Sequence, residues 1–242
     1  MKLTFIFVAT FGLFSSCTQE RKFNDNKPAS VTVSSMLDIT DPKLFWPQPD
    51  EILQQFNCEE NPSAQFTFRL KAISDKRLNP LMNYHLADAA ATDKKNDQHD
   101  PQNRSRNISA FYGTVRQAVN NFYTHMDTGH SMQHSECYRA IVNELIFLSE
   151  YPSEQKTLLL FTDLREQSAV LNSYSEDISD PIALARRLDS AYPKLPNLKG
   201  ITVIIVFSPR DRNEDKAFGN MAEAYKILLN KKGATVSVQA NL

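Results

Sequence analysis

The sequence predicts an α/β fold: a three-layer, doubly wound, mostly parallel sheet with helices on both faces. Three observations carry this. Strand-like and helix-like segments alternate from residue 31 onward, the pattern of strand–helix–strand units. Two of the strands, 157–161 (TLLLF) and 201–207 (ITVIIVF), are continuous apolar runs, as central parallel strands buried on both faces are. The helical segments between them carry apolar residues at three-to-four spacing.

In chain order, residues 31–37 (VTVSSML) form a β-branched strand running into Asp38. Residues 50–56 follow Pro47 and Pro49 and read as a short helix. Residues 66–73 (FTFRLKAI) alternate in part and read as a second strand. Residues 87–107 are polar with few apolar positions and read as a long surface loop. Residues 108–123 place Ile108, Phe111, Val115, Val119 and Phe122 on one stripe. Residues 135–148 do the same with Tyr138, Ile141, Leu145 and Leu148, and Ser135 has the chemistry of an N-cap. A further helix, 182–192, follows Asp180-Pro181, a cap and then a proline in the first turn. The last helix, 215–231, ends in Lys231-Lys232-Gly233, basic residues and a glycine stop, and the run 209–216 reads as the loop leading into it. A final strand spans 235–238. No internal repeat is visible.

Composition narrows the function. The 242 residues carry 27 Lys+Arg against 28 Asp+Glu, so there is no sustained basic face for phosphate backbones, and nucleic acid is disfavoured as a partner. Six glycines are about a third of the usual ~7% share. Neither G-x-G-x-x-G nor G-x-x-x-x-G-K-[ST] occurs, which speaks against a nucleotide-binding enzyme.

Lys2 and an apolar run over 3–14, closed by Ser15-Ser16-Cys17, have the build of an export signal and are too short to span a bilayer. Cys17, close behind Leu13, resembles the acylated cysteine of a bacterial lipobox, although Phe14 stands where a small aliphatic residue is commoner. That resemblance implies a signal peptide over 1–16, a lipidated Cys17 followed by a polar tether to residue 30, and a domain over 31–242. The protein would be held in the cell envelope on a bacterial membrane by acyl chains, without a transmembrane helix. Fully extended, residues 18–30 reach roughly 40 Å. Cys58 and Cys137 are the other cysteines. In an exported chain they form either a bridge or two free thiols.

Ligands of an open parallel sheet bind beyond the carboxyl ends of its strands. Two strands end in acid there: Leu37-Asp38-Ile39-Thr40-Asp41 and Phe161-Thr162-Asp163-Leu164. Two facing carboxylates call for a shared cation or a shared proton, and hard oxygen donors suit Mg²⁺. Asp-x-Thr after the first strand, a hydroxyl residue opening the helix before the central strand, and Thr-Asp closing that strand are together similar to the metal-ion-dependent adhesion site of von Willebrand factor A-type domains. The resemblance spans roughly residues 31–238. It implies Mg²⁺ (or Mn²⁺) held by Asp38, Thr40, Ser135 and Asp163, with Ser131 and Asp41 as secondary candidates, and a protein partner offering an acidic side chain. Pro42 stands where the family has a second serine, and Leu164 where glycine follows the aspartate.

Other constellations offer alternatives. His125, His130, His134 and Cys137 form H-x4-H-x3-H-x2-C, a zinc-capable set, although the turn-like residues 127–129 interrupt it and a polar, histidine-bearing loop is the simpler reading. Asp163-Leu164-Arg165-Glu166-Gln167 reads as a solvated charged loop from which Arg165 or Glu166 could select a partner. A haloacid-dehalogenase-like phosphatase or phosphoryl transferase would also place an aspartate after strand one and use Mg²⁺, but its second aspartate corresponds here to Thr40. A metal-free structural envelope protein is the third class.

Overall fold

The computed structural model describes residues 29–40, 44, 46–74, 81–87, 101–125, 135–191 and 193–242. The expected α/β layer fold is present. Six strands, β1 (Ser30–Asp38), β2 (Gln65–Ile73), β3 (Leu81–Leu86), β4 (Gln155–Phe161), β5 (Ile201–Val206) and β6 (Thr235–Gln239), form one sheet in the order β3-β2-β1-β4-β5-β6. Every neighbouring pair is parallel except β2 with β3, which is antiparallel. The order reverses direction at β1 and β4, the place where open α/β sheets leave a crevice beyond their strand ends.

Among the described residues five helices cover the sheet: α1 (Pro49–Gln54), α2 (Pro101–His125), α3 (Cys137–Glu150), α4 (Pro181–Ser190) and α5 (Arg212–Lys231). Strand pleating sends alternate residues to opposite faces, and the two cores follow that alternation. Val31, Val33 and Leu37 of β1 join Leu159 and Phe161 of β4 under α1 and α2. Met36 of β1 joins Leu158 and Leu160 of β4 under α3, α4 and α5. On the first face Phe56 meets Phe66, Phe68 and Phe111 edge-on at 5.5–6.1 Å between centroids.

The cap anticipated at Asp180 acts as one, and the structure adds a second at Asp211. Asp180 accepts from the N–H groups of Ile182 and Ala183, and Asp211 accepts from those of Asn213 and Glu214. Gly233 takes φ +97° just past α5, where a Cβ would come within 3.3 Å of the Lys199 nitrogen.

Several expectations are corrected. The edge strand β3 is absent from the sequence reading, because its alternation (LMNYHL) lies in a polar stretch. Residues 101–107, read as loop, are the first two turns of α2, while 88–100 lie outside the described residues. The last helix starts at Arg212 because Asp211 caps it, so most of the anticipated 209–216 loop is helical. Ser30 belongs to β1 rather than to the tether. Cys58 and Cys137 are free thiols. They are buried in the two separate cores, with the sheet between them, so they cannot bridge.

One buried polar cluster ties α3 to the sheet. Glu144 is 1% exposed, and its Oε1 accepts from Ser34 Oγ of β1 at 2.8 Å and from Arg69 Nε of β2 at 2.6 Å. Arg69 Nη2 reaches Oε2 at 3.2 Å, and Lys71 Nζ lies 3.5 Å from the same atom. The Arg69 guanidinium also sits 3.4 Å from the Phe147 ring centroid. Burial alone would raise the Glu144 pKa, but Arg69, Lys71 and Ser34 outweigh it and hold the carboxyl below its ordinary value.

A depressed folded-state pKa contributes stability that is complete above the ordinary carboxylate value, 4.5, and lost as pH falls through the folded one. Glu144→Gln leaves Arg69 buried without its counter-charge and should cost about 3–5 kcal/mol, the range for breaking a buried ion pair. Urea unfolding at pH 7 measures this cost, and the gap between variant and wild type should narrow below pH 4.5.

Candidate functional site

The carboxyl end of β1 sets the site. Asp38 is the last residue of β1 and shares the α3 face with Ser34 and Met36, with 0% exposure. A buried carboxylate needs several donors, and Asp38 has them. Its Oδ1 accepts from the Thr40 N–H at 2.9 Å and from Thr40 Oγ1 at 2.6 Å, which folds Asp38-Ile39-Thr40 into a side-chain-closed turn. Its Oδ2 accepts from Thr162 Oγ1, the first residue after β4, at 2.6 Å.

Thr162 in turn shapes the chain beyond β4. Its oxygen accepts the Leu164 N–H at 2.9 Å, and Leu164 takes the left-handed conformation at φ +59°. That conformation costs a non-glycine residue roughly 1–2 kcal/mol. Burial of the Leu164 side chain, 0% exposed in the α3-side core, offsets it. The place where the resembled family has glycine is therefore filled by a leucine that adopts a glycine-like backbone. Asp163 is half-buried, and its Oδ1 accepts the Arg165 N–H at 2.9 Å.

Ser135 reaches the same edge by a different route. Its backbone pairs antiparallel with Gln167 of the loop after β4, N to O at 3.3 Å and O from N at 3.0 Å. The expected N-cap role is not what the geometry shows: α3 begins two residues later, and the cap position belongs to Glu136, which makes no side-chain cap bond. The exposed helix end is answered from across the loop instead, where the Glu166 carboxylate accepts the Tyr138 N–H at 2.8 Å. The Ser135 side chain is 3% exposed, and its Oγ meets no hydrogen-bond partner among the described residues. An unsatisfied buried hydroxyl costs about 1–3 kcal/mol; Ser35 and Tyr225 share this state among the described residues, and Ser135 is the one beside the loop that follows Asp163.

Cys137, at the start of α3, closes the cluster, with its Sγ 3.7 Å from Thr162 Oγ1. The Thr162 proton is committed to Asp38, so the thiol is the donor in this contact. Burial pushes the Cys137 thiol well above its ordinary pKa, and the charges of Asp38, Glu166 and Asp163 add to it. It is a protonated link between β4 and α3 rather than a thiolate.

Glu166 departs from the solvated-loop expectation, since it is 1% exposed. Burial is the main force raising its pKa to about 7. Glu136 and Asp38 raise it further, against the Ser168 hydroxyl and the Tyr138 N–H.

Of the residues singled out from sequence, the structure brings Asp38 and Thr40 into contact and joins them through Thr162 to the strand end that carries Asp163. It places Ser135 against the loop following that strand end. Sequence reasoning misses the roles of Thr162, Glu166 and Cys137. The Thr-Asp dipeptide contains the first of these, yet nothing in its spacing distinguishes which of the two bonds the neighbouring strand. Cys17, Asp41, Ser131, His130 and His134, and the side chain of His125, lie outside the described residues. Among the described residues no group of three or more His, Cys, Asp or Glu side chains is arranged to hold a metal ion. The four-residue oxygen set expected from sequence has only two acids, so it is not a group of that kind.

The Glu166 shift has a measurable sign. A carboxyl whose folded pKa is raised contributes stability that is complete below its ordinary value, 4.5, and lost as pH climbs through about 7. The loss amounts to roughly 3 kcal/mol across that window. Glu166→Gln cannot ionise, so chemical denaturation at pH 5 and pH 8 should show wild type losing stability relative to the variant at the higher pH.

No family model matches the sequence, and no curated protein matches it.

Proposed function

We propose that the carboxyl edge of the sheet is a recognition site that binds a protein partner with the help of a divalent cation, in the manner of a von Willebrand factor A-type domain, on a chain anchored to a membrane through an acylated Cys17. The observation that carries this reading is the Ser135 hydroxyl, buried and unbonded among the described residues, at the same edge as the Asp38–Thr40 turn and Asp163. These are hard oxygen donors of the type Mg²⁺ selects. The Thr40 proton goes to Asp38, which leaves the Thr40 oxygen with lone pairs for a cation and makes Asp38 the group that orients it.

Binding rather than turnover is favoured by the state of Asp38. Its exposure is 0%, and each of its oxygens accepts a hydroxyl hydrogen bond of 2.6 Å. A nucleophilic aspartate has to be reachable by substrate.

Titration of the folded chain, residues 18–242, with Mg²⁺ and Mn²⁺ is the direct test. At a hundredfold excess over the dissociation constant, stabilisation of about 2.7 kcal/mol is expected. For a domain of this size that raises the melting temperature by roughly 5–10 °C. Asp163→Ala and Ser135→Ala should each reduce the shift; an absence of heat and of thermal shift with both cations in wild type would overturn the cation reading.

The anchor is supported by the length and flanks of the apolar run before Cys17. No helix among the described residues is long and apolar enough to cross a membrane. Radiolabelled palmitate fed to expressing cells should enter the wild-type chain and not Cys17→Ser, with the variant released from the membrane fraction. Equal labelling of both would remove the anchor from the proposal.

A further inference from the structure

The connection 162–180 between β4 and α4 is longer than the ~12–15 residues beyond which loops in compact domains are usually functional or disordered. This one is ordered by its own bonds. Gln167 bridges to both Ser135 and Asn172. The Ser173 hydroxyl accepts from the Glu166 N–H at 2.9 Å and donates to the Glu166 carbonyl at 3.1 Å. Arg187 of α4 donates to the Val170 carbonyl at 2.5 Å and pairs with Glu176.

On this rigid loop, beside Asp163, sits Arg165. Its main-chain N–H holds Asp163, its Nη2 donates to the Ser173 carbonyl at 2.9 Å, and its guanidinium lies 3.7 Å from the centroid of the Tyr174 ring. Tyr174 is one of the few large apolar side chains left exposed, at 51%. Arg165 Nε is shielded from solvent and meets no acceptor among the described residues. Glu214, whose pKa the Arg165 charge also lowers, is hydrogen-bonded by Arg210, whose Nε lies 2.7 and 2.9 Å from its two oxygens. That bond is the main force holding Glu214 below its ordinary pKa. An arginine pre-posed by three local contacts, in no salt bridge among the described residues and with an exposed aromatic ring stacked on it, is built to take a planar anion.

We propose that Arg165, stacked on Tyr174, is a specificity-determining residue that receives an acidic side chain of the protein partner next to the Asp38–Asp163 edge. The assignment rests on the recognition role proposed for that edge, and extends it from the cation to a residue of the neighbouring loop. The stacked ring keeps the guanidinium in one plane, so its remaining Nη donors are presented without further ordering. Lysine would keep the charge but lose both the plane and the stack.

Binding of a hexaglutamate peptide, with hexaglutamine and hexalysine as comparisons, measured by titration calorimetry in Mg²⁺, tests this. Wild type is expected to prefer hexaglutamate to hexaglutamine by roughly tenfold or more, and Arg165→Ala to abolish most of that preference. Arg165→Lys should retain only part of it, and Tyr174→Ala should weaken it by roughly two- to fivefold, as loss of a cation–π contact does. Urea midpoints of the three variants identify any that fail to fold, and the substitutions that fold then decide the question. Equal affinity for hexaglutamate and hexaglutamine in wild type, or an undiminished preference in the folded Arg165 variants, overturns the proposal. If Mg²⁺ changes neither stability nor peptide affinity while the preference still depends on Arg165, the cation reading falls and the Arg165 assignment stands.

Discussion

A carboxylate shut away from water at the end of a central strand must be answered by donors, and the arrangement of the whole carboxyl edge of the sheet follows from how Asp38 is answered. Ionising such a group in the interior without compensation costs several kcal/mol. β1 and β4 run parallel as neighbours, with Leu37 paired to Phe161, so the next residues, Asp38 and Thr162, arrive at the same height. The bond between them fixes the Thr162 hydroxyl, and its oxygen then captures the Leu164 N–H. That capture turns the chain through a left-handed leucine and sets the direction in which Asp163 and Arg165 leave the sheet. The Asp38–Thr162 bond thus links strand pairing to loop geometry.

The two buried glutamates on this side of the sheet show what partners do to a charge. Glu144 and Glu166 are equally hidden, 1% exposed each, yet their acidities move in opposite directions. Glu144 is surrounded by Arg69, Lys71 and Ser34 and stays ionised. Glu166 has only the Ser168 hydroxyl and a helix N–H to set against burial and against Glu136 and Asp38, and it moves toward neutrality. The first is a fastening of α3 to β1 and β2. The second makes the loop after β4 sensitive to charge, at the edge where a cation would relieve the same repulsion.

Much of the fold is legible in the sequence because its signals are local. The apolar runs of β4 and β5 and the Asp180 cap are read from residues a few positions apart. The antiparallel β3 is hidden because only its Met82, Tyr84 and Leu86 side is half-buried, and an edge strand needs no strong pattern on its other face. The Ser135 assignment shows the limit of local rules. A serine before an apolar stripe has the chemistry of a cap, yet Gln167 draws its backbone into a bridge and Glu166 takes over the capping bond. Leu164 is the converse case, since no propensity predicts a left-handed leucine, and only the Thr162 bond and the core pocket hold it there.

The amino-acid order alone determined the layer architecture, the central strands and the identity of the two acids at their ends, because hydrophobic period and turn chemistry act over a few residues. Tertiary structure decided which oxygens pair, which hydroxyls are left without a bond, and which glutamate keeps its charge. Those outcomes depend on distances between groups more than a hundred positions apart in the chain, as for Asp38 with Thr162 and Ser34 with Glu144. Burial and dielectric environment exist only once the layers have closed around them.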